Sequence, residues 1–285
     1  MSTKLKSFSR TVEPNLCGLV SVGILSYGAR ETLEKSLIAH RKSGIASGEF
    51  FVWFNAMTRE DREIADKYDV DWEGNRTNLG IYGGFRAIAE HASRPYVLIL
   101  ENDIRPLPGV DVNDCITSCV ADMINHGINS FQLRSRHNPG EGHRGRKYRE
   151  AFPIINPLPG VEAQNTPWLN RSKAILKYGG LDWVRSQAMF LEQYPDQAQP
   201  KAIRRLPSGN WLTDSRYRNW GNQSILVERE WFLNVVCKRV ETHPDGRNVN
   251  GFPDIEKDLN CRWWRRQREL MGHAKDGVFT HQRHS

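Results

Sequence analysis

Strand-like and helix-like patterns alternate through the first hundred residues. Leu19–Ser26 reads as a strand and Tyr27-Gly28-Ala29 as the turn after it. Glu31–Arg41 sets Leu33, Leu37 and Ile38 on one helical face. Phe50-Phe51-Val52-Trp53-Phe54 predicts a second strand ending at Asn55, and Thr58 with Asp61 has the spacing of a capping box that opens a short helix. Tyr68–Asp71 predicts a third, shorter strand. Gly80–Ala92 predicts a helix whose early glycines (Gly80, Gly83, Gly84) allow backbone or ligand to come close. The apolar run Tyr96–Leu100 then has the length of a strand buried on both faces. This β-α-β-α-β-α-β order predicts an α/β protein with a single doubly wound, mostly parallel sheet and right-handed crossovers.

The second half is less regular. Val110–His126 predicts a helix and Ser130–Arg134 a strand. Residues 135–170, rich in Pro, Gly, Asn and Arg, predict a long loop region, and loops of that length inside a domain are functional lids or disordered. Glu228–Glu241 carries Trp231, Phe232, Val235 and Val236 at helical spacing. Asp254–Leu270 predicts a further helix entered after Pro253. Gly277–His281 closes as a short strand or an extended tail. No repeat or linker divides the chain. Residues 1–16 form a basic tail, and 17–285 form one domain with an elaborated C-terminal half.

The junction at the end of the fourth strand carries the strongest chemical signal. Tyr96–Leu100 stops abruptly at Glu101-Asn102-Asp103. Two acids so placed are costly in a core, so they emerge at the carboxyl edge, where open α/β sheets bind ligands. Hard oxygen ligands there suit Mg²⁺ or Mn²⁺, ions that commonly hold nucleotide phosphates. The same triplet is also good Asx-turn sequence ahead of Pro106, and both meanings stand. A formal charge of +7 over 285 residues favours anionic partners: nucleotide diphosphates, nucleic acid or an acidic membrane surface. Five cysteines without a Cys-x-x-Cys pair predict reduced thiols and a cytoplasmic setting, with Cys115 and Cys119 as small core residues. Leu16–Leu25, interrupted by Gly18, Ser21 and Gly23, is a first strand rather than a signal-peptide core.

Val20-Ser21-Val22-Gly23-Ile24-Leu25-Ser26-Tyr27, the strand ending at Asn55, Asn75-Arg76-Thr77-Asn78-Leu79-Gly80, and Tyr96–Asp103 together give the chain a family likeness. Over residues 19–106 it resembles the nucleotide-sugar glycosyltransferases of the A-type, Rossmann-like fold, closest to the family-2-like group. Its Glu-Asn-Asp departs from their Asp-x-Asp in the first acid. The resemblance implies a nucleotide-binding half over 17–106 and an acceptor-binding half over 107–285. It makes Asp103 the metal ligand and Glu101 a metal or ribose contact, with Asn102 beside the nucleotide. His281, in Gly-Val-Phe-Thr-His, stands for the late histidine that completes the metal shell, and an imidazole favours Mn²⁺ over Mg²⁺. Base and ribose contacts are expected at Ser26, Tyr27, Gly28, Arg30 and Asn55. Asn78 and Gly80 are expected beside the nucleotide, and Arg86 within reach of the diphosphate. UDP-sugar is the implied donor; a glycan, a lipid-linked molecule or a protein is the acceptor.

Further candidates lie beyond the resemblance. Arg134 and Arg136, with the basic loop Arg144-Gly145-Arg146-Lys147, suit phosphate recognition and a lid over the donor. Trp168, Trp211 and Trp220 offer faces for sugar rings. The resembling inverting enzymes place a base at a helix start, which here points to Asp254 and Glu256 with Asp214 behind them, although acids also favour a helix N-terminus for its dipole alone. Two rival functions are weighed. Arg262-Trp263-Trp264-Arg265-Arg266 would suit a basic protein binding nucleic acid or a membrane surface without catalysis. A sugar-nucleotide pyrophosphorylase would need a glycine-rich, Lys-bearing loop that Leu25–Arg30 lacks.

Overall fold

The computed structural model describes residues 16–45, 47–140, 145–243 and 248–282. Its first half is built on β1 (Val20–Ser26), β2 (Glu49–Asn55), β3 (Asp71–Asn75) and β4 (Tyr96–Glu101), joined by α1 (Arg30–Ser43), α2 (Arg59–Lys67) and α3 (Gly80–His91). The strands pair in the order β3-β2-β1-β4, all parallel. Side chains of β1 and β4 alternate between two apolar layers. Val20, Val22, Ile24, Leu98 and Leu100 join Leu33 and Leu37 of α1, whereas Leu25, Val97 and Ile99 join Phe85 and Ile88 of α3. Burial on both faces is why these strands read as unbroken apolar runs, each such side chain contributing about 1.5–3 kcal/mol.

The capping box at α2 forms as expected: Thr58 Oγ1 accepts from the Asp61 N–H, and the Asp61 carboxylate accepts from the Thr58 N–H. The third strand starts later than Tyr68–Asp71. Asp69 takes a left-handed φ of 48°, and the Tyr68 and Val70 N–H groups bond back to α2, so pairing begins only at Asp71.

After β5 (Ile104–Pro106) and α4 (Val112–His126) come β6 (Ser130–Gln132), α5 (Arg146–Ala151) and α6 (Trp168–Tyr178). Then follow β7 (Arg204–Arg205), β8 (Trp211–Asp214), β9 (Ile225–Glu228), the hairpin β10 (Asn248–Val249)–β11 (Phe252–Pro253), β12 (Leu270–His273) and β13 (Phe279–His281). The sheet continues beyond β4 as β9-β6-β12-β8-β7. Only β8 and β9 oppose the rest, so among the described residues seven of its nine strands point one way. The sheet is thus mostly parallel, with antiparallel strands threaded into its second half.

Three expectations need correction here. The region 135–170 is not loop throughout: it holds α5 and the start of α6, and Tyr148 and Phe152 pack with Trp183, Met189 and Phe190 in a third core. Glu228–Glu241 is helical, but with a π-helical turn over Phe232–Cys237. Asp254–Leu270 is not one helix. It breaks after Ile255–Leu259, because Asn260 turns its side chain onto the backbone of Trp220. A second helix, Arg262–Gln267, ends at Arg268 with φ 60°, and the chain enters β12. Among the described residues, no helix is long and apolar enough to cross a membrane.

The C-terminal segment is docked as a strand. β13 pairs antiparallel with β5, and Phe279 is fully buried. Gly277, at φ 69°, lets the chain pass so close to Arg134 that any Cβ would overlap its carbonyl. Beneath this pair lies His40 of α1, its ring 5.9 Å from that of Phe50 and 6.0 Å from that of Phe279. Burial pushes its pKa down to about 4. Unfolding exposes an ordinary histidine that takes up a proton below about pH 6.5. The unfolded chain therefore binds more protons between these values, and stability falls as pH drops from 6.5 towards 4, by about 3 kcal/mol in all. Urea titrations at pH 7 and pH 4.5 should show His40→Gln losing less stability than the parent over that interval; equal losses would remove His40 from this account.

Candidate active site

At the end of β4 the chain turns through Asn102 and Asp103 and returns as β5. The turn is pinned over the carboxyl end of β1: the Asn102 N–H donates to the Leu25 carbonyl at 3.1 Å, and its side-chain amide reaches Ser26 Oγ at 3.4 Å. Pairing of β5 with β13 sets His281 opposite Ile104, and the Gln282 N–H donates to the Asp103 carbonyl at 3.0 Å. The two side chains converge, with His281 Nε2 2.8 Å from Asp103 Oδ2. On its other side, His281 Nδ1 lies 3.4 Å from Gln223 Nε2.

This pair fits a divalent ion. Donors at right angles and roughly 2.1 Å from one small cation sit about 3 Å apart, close to the spacing seen. Asp103 Oδ1 is shielded from solvent and, among the described residues, has no hydrogen-bond partner. Among the described residues no group of three or more His, Cys, Asp or Glu gathers to hold a metal. A cation here would therefore take its remaining ligands from substrate oxygens and water, as ions bound to nucleotide phosphates do. Glu101, expected as a metal or ribose contact, ends β4 in register with Leu25 of β1, ahead of the turn that carries Asp103.

The expected base and ribose contacts divide. Ser26 is buried under Asn102, whereas Tyr27 is 59% exposed and Gly28 turns the chain at φ 63°. Arg30 is turned to the head of α2, where it meets Asp61 at 3.3 Å, Thr58 at 3.1 Å and Glu60 at 3.4 Å. The Asn55 amide is saturated. Its oxygen accepts from the Leu79 N–H at 2.7 Å and from Asn75 at 3.4 Å; its nitrogen donates to Asn78 Oδ1 at 2.9 Å and the Gly80 carbonyl at 3.1 Å. With two donors and two lone pairs used, it shapes the loop before α3 and has no polar edge left for a base. Asn78 is likewise held by the Gly80 N–H, and Gly80 is required at φ 70° because Phe252 occupies the space of a Cβ. Arg86 is bound to Glu90 and to Glu241, and these partners raise its pKa, the Glu90 hydrogen bond most. Its charge is spent there rather than on a diphosphate.

The two arginines of the basic segment also part company. Arg136 is a scaffold residue, donating to the carbonyls of Met189 at 2.6 Å, Glu192 at 2.7 Å and Lys275 at 3.1 Å while stacking on Trp211. Burial lowers its pKa to about 10. Arg134 donates to the Pro139 carbonyl at 2.6 Å and lines a cleft of about 330 Å³. Burial brings its pKa to about 10 against the opposing charges of Glu256 and Asp103. Arg144, at the centre of the expected lid, lies outside the described residues, as does the Trp168 side chain.

Glu256, Gln223, Trp183, Trp220 and Arg218 line the same cleft. Glu256 accepts from the Asn222 N–H at 2.9 Å. Burial pushes its carboxyl above the ordinary range, with Asp254 adding to the rise; the Asn222 bond and the Arg134 charge act the other way. The neighbouring acids have other work. Asp254 caps the helix Ile255–Leu259 by accepting from the Glu256 and Lys257 N–H groups. Asp214 accepts from the Arg216 N–H at 2.8 Å and pairs with Arg268 at 3.0 Å. Trp211 is buried between Arg136 and Arg205 and offers no face to a sugar. In the Arg262–Arg266 cluster Trp264 is fully buried and Arg265 stacks on Trp183, whereas Arg262 and Arg266 are exposed.

No protein-family model and no curated protein matches this sequence. Among solved structures, Staphylococcus aureus TarS 1–349 in complex with UDP-GlcNAc is similar, with a TM-score of 0.49 and 12% identity over 93% of this chain. The chain spans 59% of that protein's crystallised length. The mannosyltransferase PcManGT from Pyrobaculum calidifontis, in complex with GDP-Man and Mn²⁺, gives a TM-score of 0.35 and 15% identity over 48% of this chain and 42% of that one. Glucosyl-3-phosphoglycerate synthase from Mycobacterium tuberculosis, with Mn²⁺ and UDP, gives 0.32 and 12% over 40% of this chain and 42% of that one. Likeness at this level says nothing of substrate.

Trp183, Arg218, Gln223 and Gln132 are cleft residues that sequence patterns do not single out. Arg218 and Gln223 belong to the irregular stretch between β8 and β9, and its polar and aromatic run Arg218-Asn219-Trp220-Gly221 was the available signal.

Proposed function

We propose that the protein is a glycosyltransferase that moves a sugar from a nucleoside-diphosphate donor, a UDP-sugar in the first place, to an acceptor hydroxyl. The observation that carries this is the Asp103–His281 pair, 2.8 Å apart at the carboxyl end of β4. It stands beside a cleft that holds a carboxyl group raised by burial. Asp103 and His281 would hold Mn²⁺ or Mg²⁺, which when bound supplies positive charge to the departing diphosphate. Arg134, which lies in the field of Asp103, adds positive charge on the cleft side. Glu256 takes the proton of the acceptor hydroxyl as its oxygen bonds to the sugar C1. The C1–O bond to phosphate breaks, and its electron pair leaves with the diphosphate. Trp183 and Trp220 are packed walls of the cleft. The five cysteines are free thiols, in keeping with the cytoplasmic setting we propose.

Thermal-shift measurements with UDP, GDP, CDP and dTDP, with and without Mn²⁺, test this directly. At a hundredfold excess over Kd, one diphosphate should add about 2.7 kcal/mol, a rise of roughly 5 °C or more, only when Mn²⁺ is present. No shift with any diphosphate and metal would end the transferase assignment.

A further inference from the structure

Arg218 is the one cleft arginine that the donor chemistry does not use. It is buried, 6% exposed, and lines the cleft. It donates to the Gly272 carbonyl at 3.0 Å and to the side-chain oxygen of Gln132, with Met189 Sδ 4.0 Å away. All three are neutral. Among the described residues no carboxylate pairs with it, and burial alone lowers its pKa, to about 10. It therefore stays charged at pH 7. A buried cation surrounded by neutral groups is costly unless an anion joins it.

More positive charge gathers about Trp183, one wall of the cleft. Lys147 Nζ lies 4.4 Å and Arg265 Cζ 5.1 Å from the centre of the Trp183 ring, which lines the cleft. Glu256 is the single acid of the lining among the described residues. The two lining arginines also mark different places. Arg134 is bridged to Phe279, two residues before His281, whereas Arg218 is held by Gly272 and Gln132. Arg134 thus stands nearer the Asp103–His281 pair, and Arg218 farther along the cleft wall.

We infer that Arg218 seats an oxyanion carried by the acceptor, the phosphate group of a phosphate-bearing alcohol or sugar, in the cleft that Trp183 walls with two cations on its ring. The forked donors of a guanidinium match a phosphate, and the cleft volume of about 330 Å³ suits a small sugar phosphate. This inference rests on the transferase assignment for the word acceptor; the anion site stands on Arg218 itself.

The test is calorimetric titration of the full chain, saturated with UDP and Mn²⁺, with glycerol 3-phosphate and with glycerol. Glycerol 3-phosphate should bind at least about tenfold more tightly, as a charge-assisted contact requires. Arg218→Gln should erase that preference and leave UDP–Mn²⁺ binding as it was. Equal binding of the two probes, or a phosphate preference that survives in folded Arg218→Gln, overturns the inference. If Arg218→Gln does not fold, the double substitution Lys147→Gln and Arg265→Gln replaces it. That variant should weaken glycerol 3-phosphate several-fold and flatten its dependence on salt, and unchanged binding and salt dependence would likewise overturn the proposal. Failure of UDP–Mn²⁺ to bind at all counts against the transferase assignment instead, and the same two probes are then compared without nucleotide.

Discussion

Asp103→Asn should abolish metal-dependent diphosphate binding and lower sugar transfer by about a thousandfold or more. Asparagine keeps the shape of aspartate, but it removes the charge that would hold the cation. Losing Lewis-acid help for the leaving diphosphate is worth several kcal/mol, and about 4 kcal/mol is a thousandfold. Among the described residues Asp103 Oδ1 has no hydrogen-bond partner and Oδ2 bonds to His281, so few hydrogen bonds of the fold rest on this carboxylate. The melting temperature without ligand should accordingly move by no more than about 1 kcal/mol allows. Transfer within tenfold of the parent at saturating Mn²⁺ would show that Asp103 is not the metal ligand.

The second large effect is at Glu256. Glu256→Gln should lower the rate of transfer by about 10²–10⁴-fold, the usual contribution of a positioned base, while nucleotide binding persists. The pH profile supplies the diagnostic. The base must be ionised, and burial holds its carboxyl above the ordinary glutamate range. Activity should fall as pH drops through that raised value, at a higher pH than an exposed glutamate would give, and the residual activity of Glu256→Gln should lack this limb. Asp254→Ala is the contrast: it should cost about 1 kcal/mol of stability through loss of the helix cap and leave the pH profile in place. A profile unchanged in Glu256→Gln and altered in Asp254→Ala would reverse the two roles.

Physical circumstance decided which parts of this arrangement could be read from the chain. β4 was legible because burial on both faces leaves an uninterrupted apolar run, and the acids after it had nowhere to go but the sheet edge. β3 was misplaced because it is an edge strand with little buried surface, so burial wrote little into Asp71–Asn75. Asn55 was legible as a strand end. Its saturation by Asn75, Asn78, Leu79 and Gly80 depends on a loop conformation that spacing does not encode. At the late helix, sequence marked the start but not its rotation, so Asp254 and Glu256 stood equal until one proved to be the cap and the other to face the cleft. Arg218, Gln223 and Trp183 meet through antiparallel strands inserted out of chain order, a juxtaposition no local pattern announces.

The two donors of the proposed cation pair lie 178 positions apart. Any ligand that bridges them works as a clasp across more than half of the polypeptide. Fastening so long a loop removes much of the freedom that β13 would gain by peeling from β5. Occupancy and endurance would then rise together, the loaded molecule outlasting the empty one because its last strand is the one the cargo ties down.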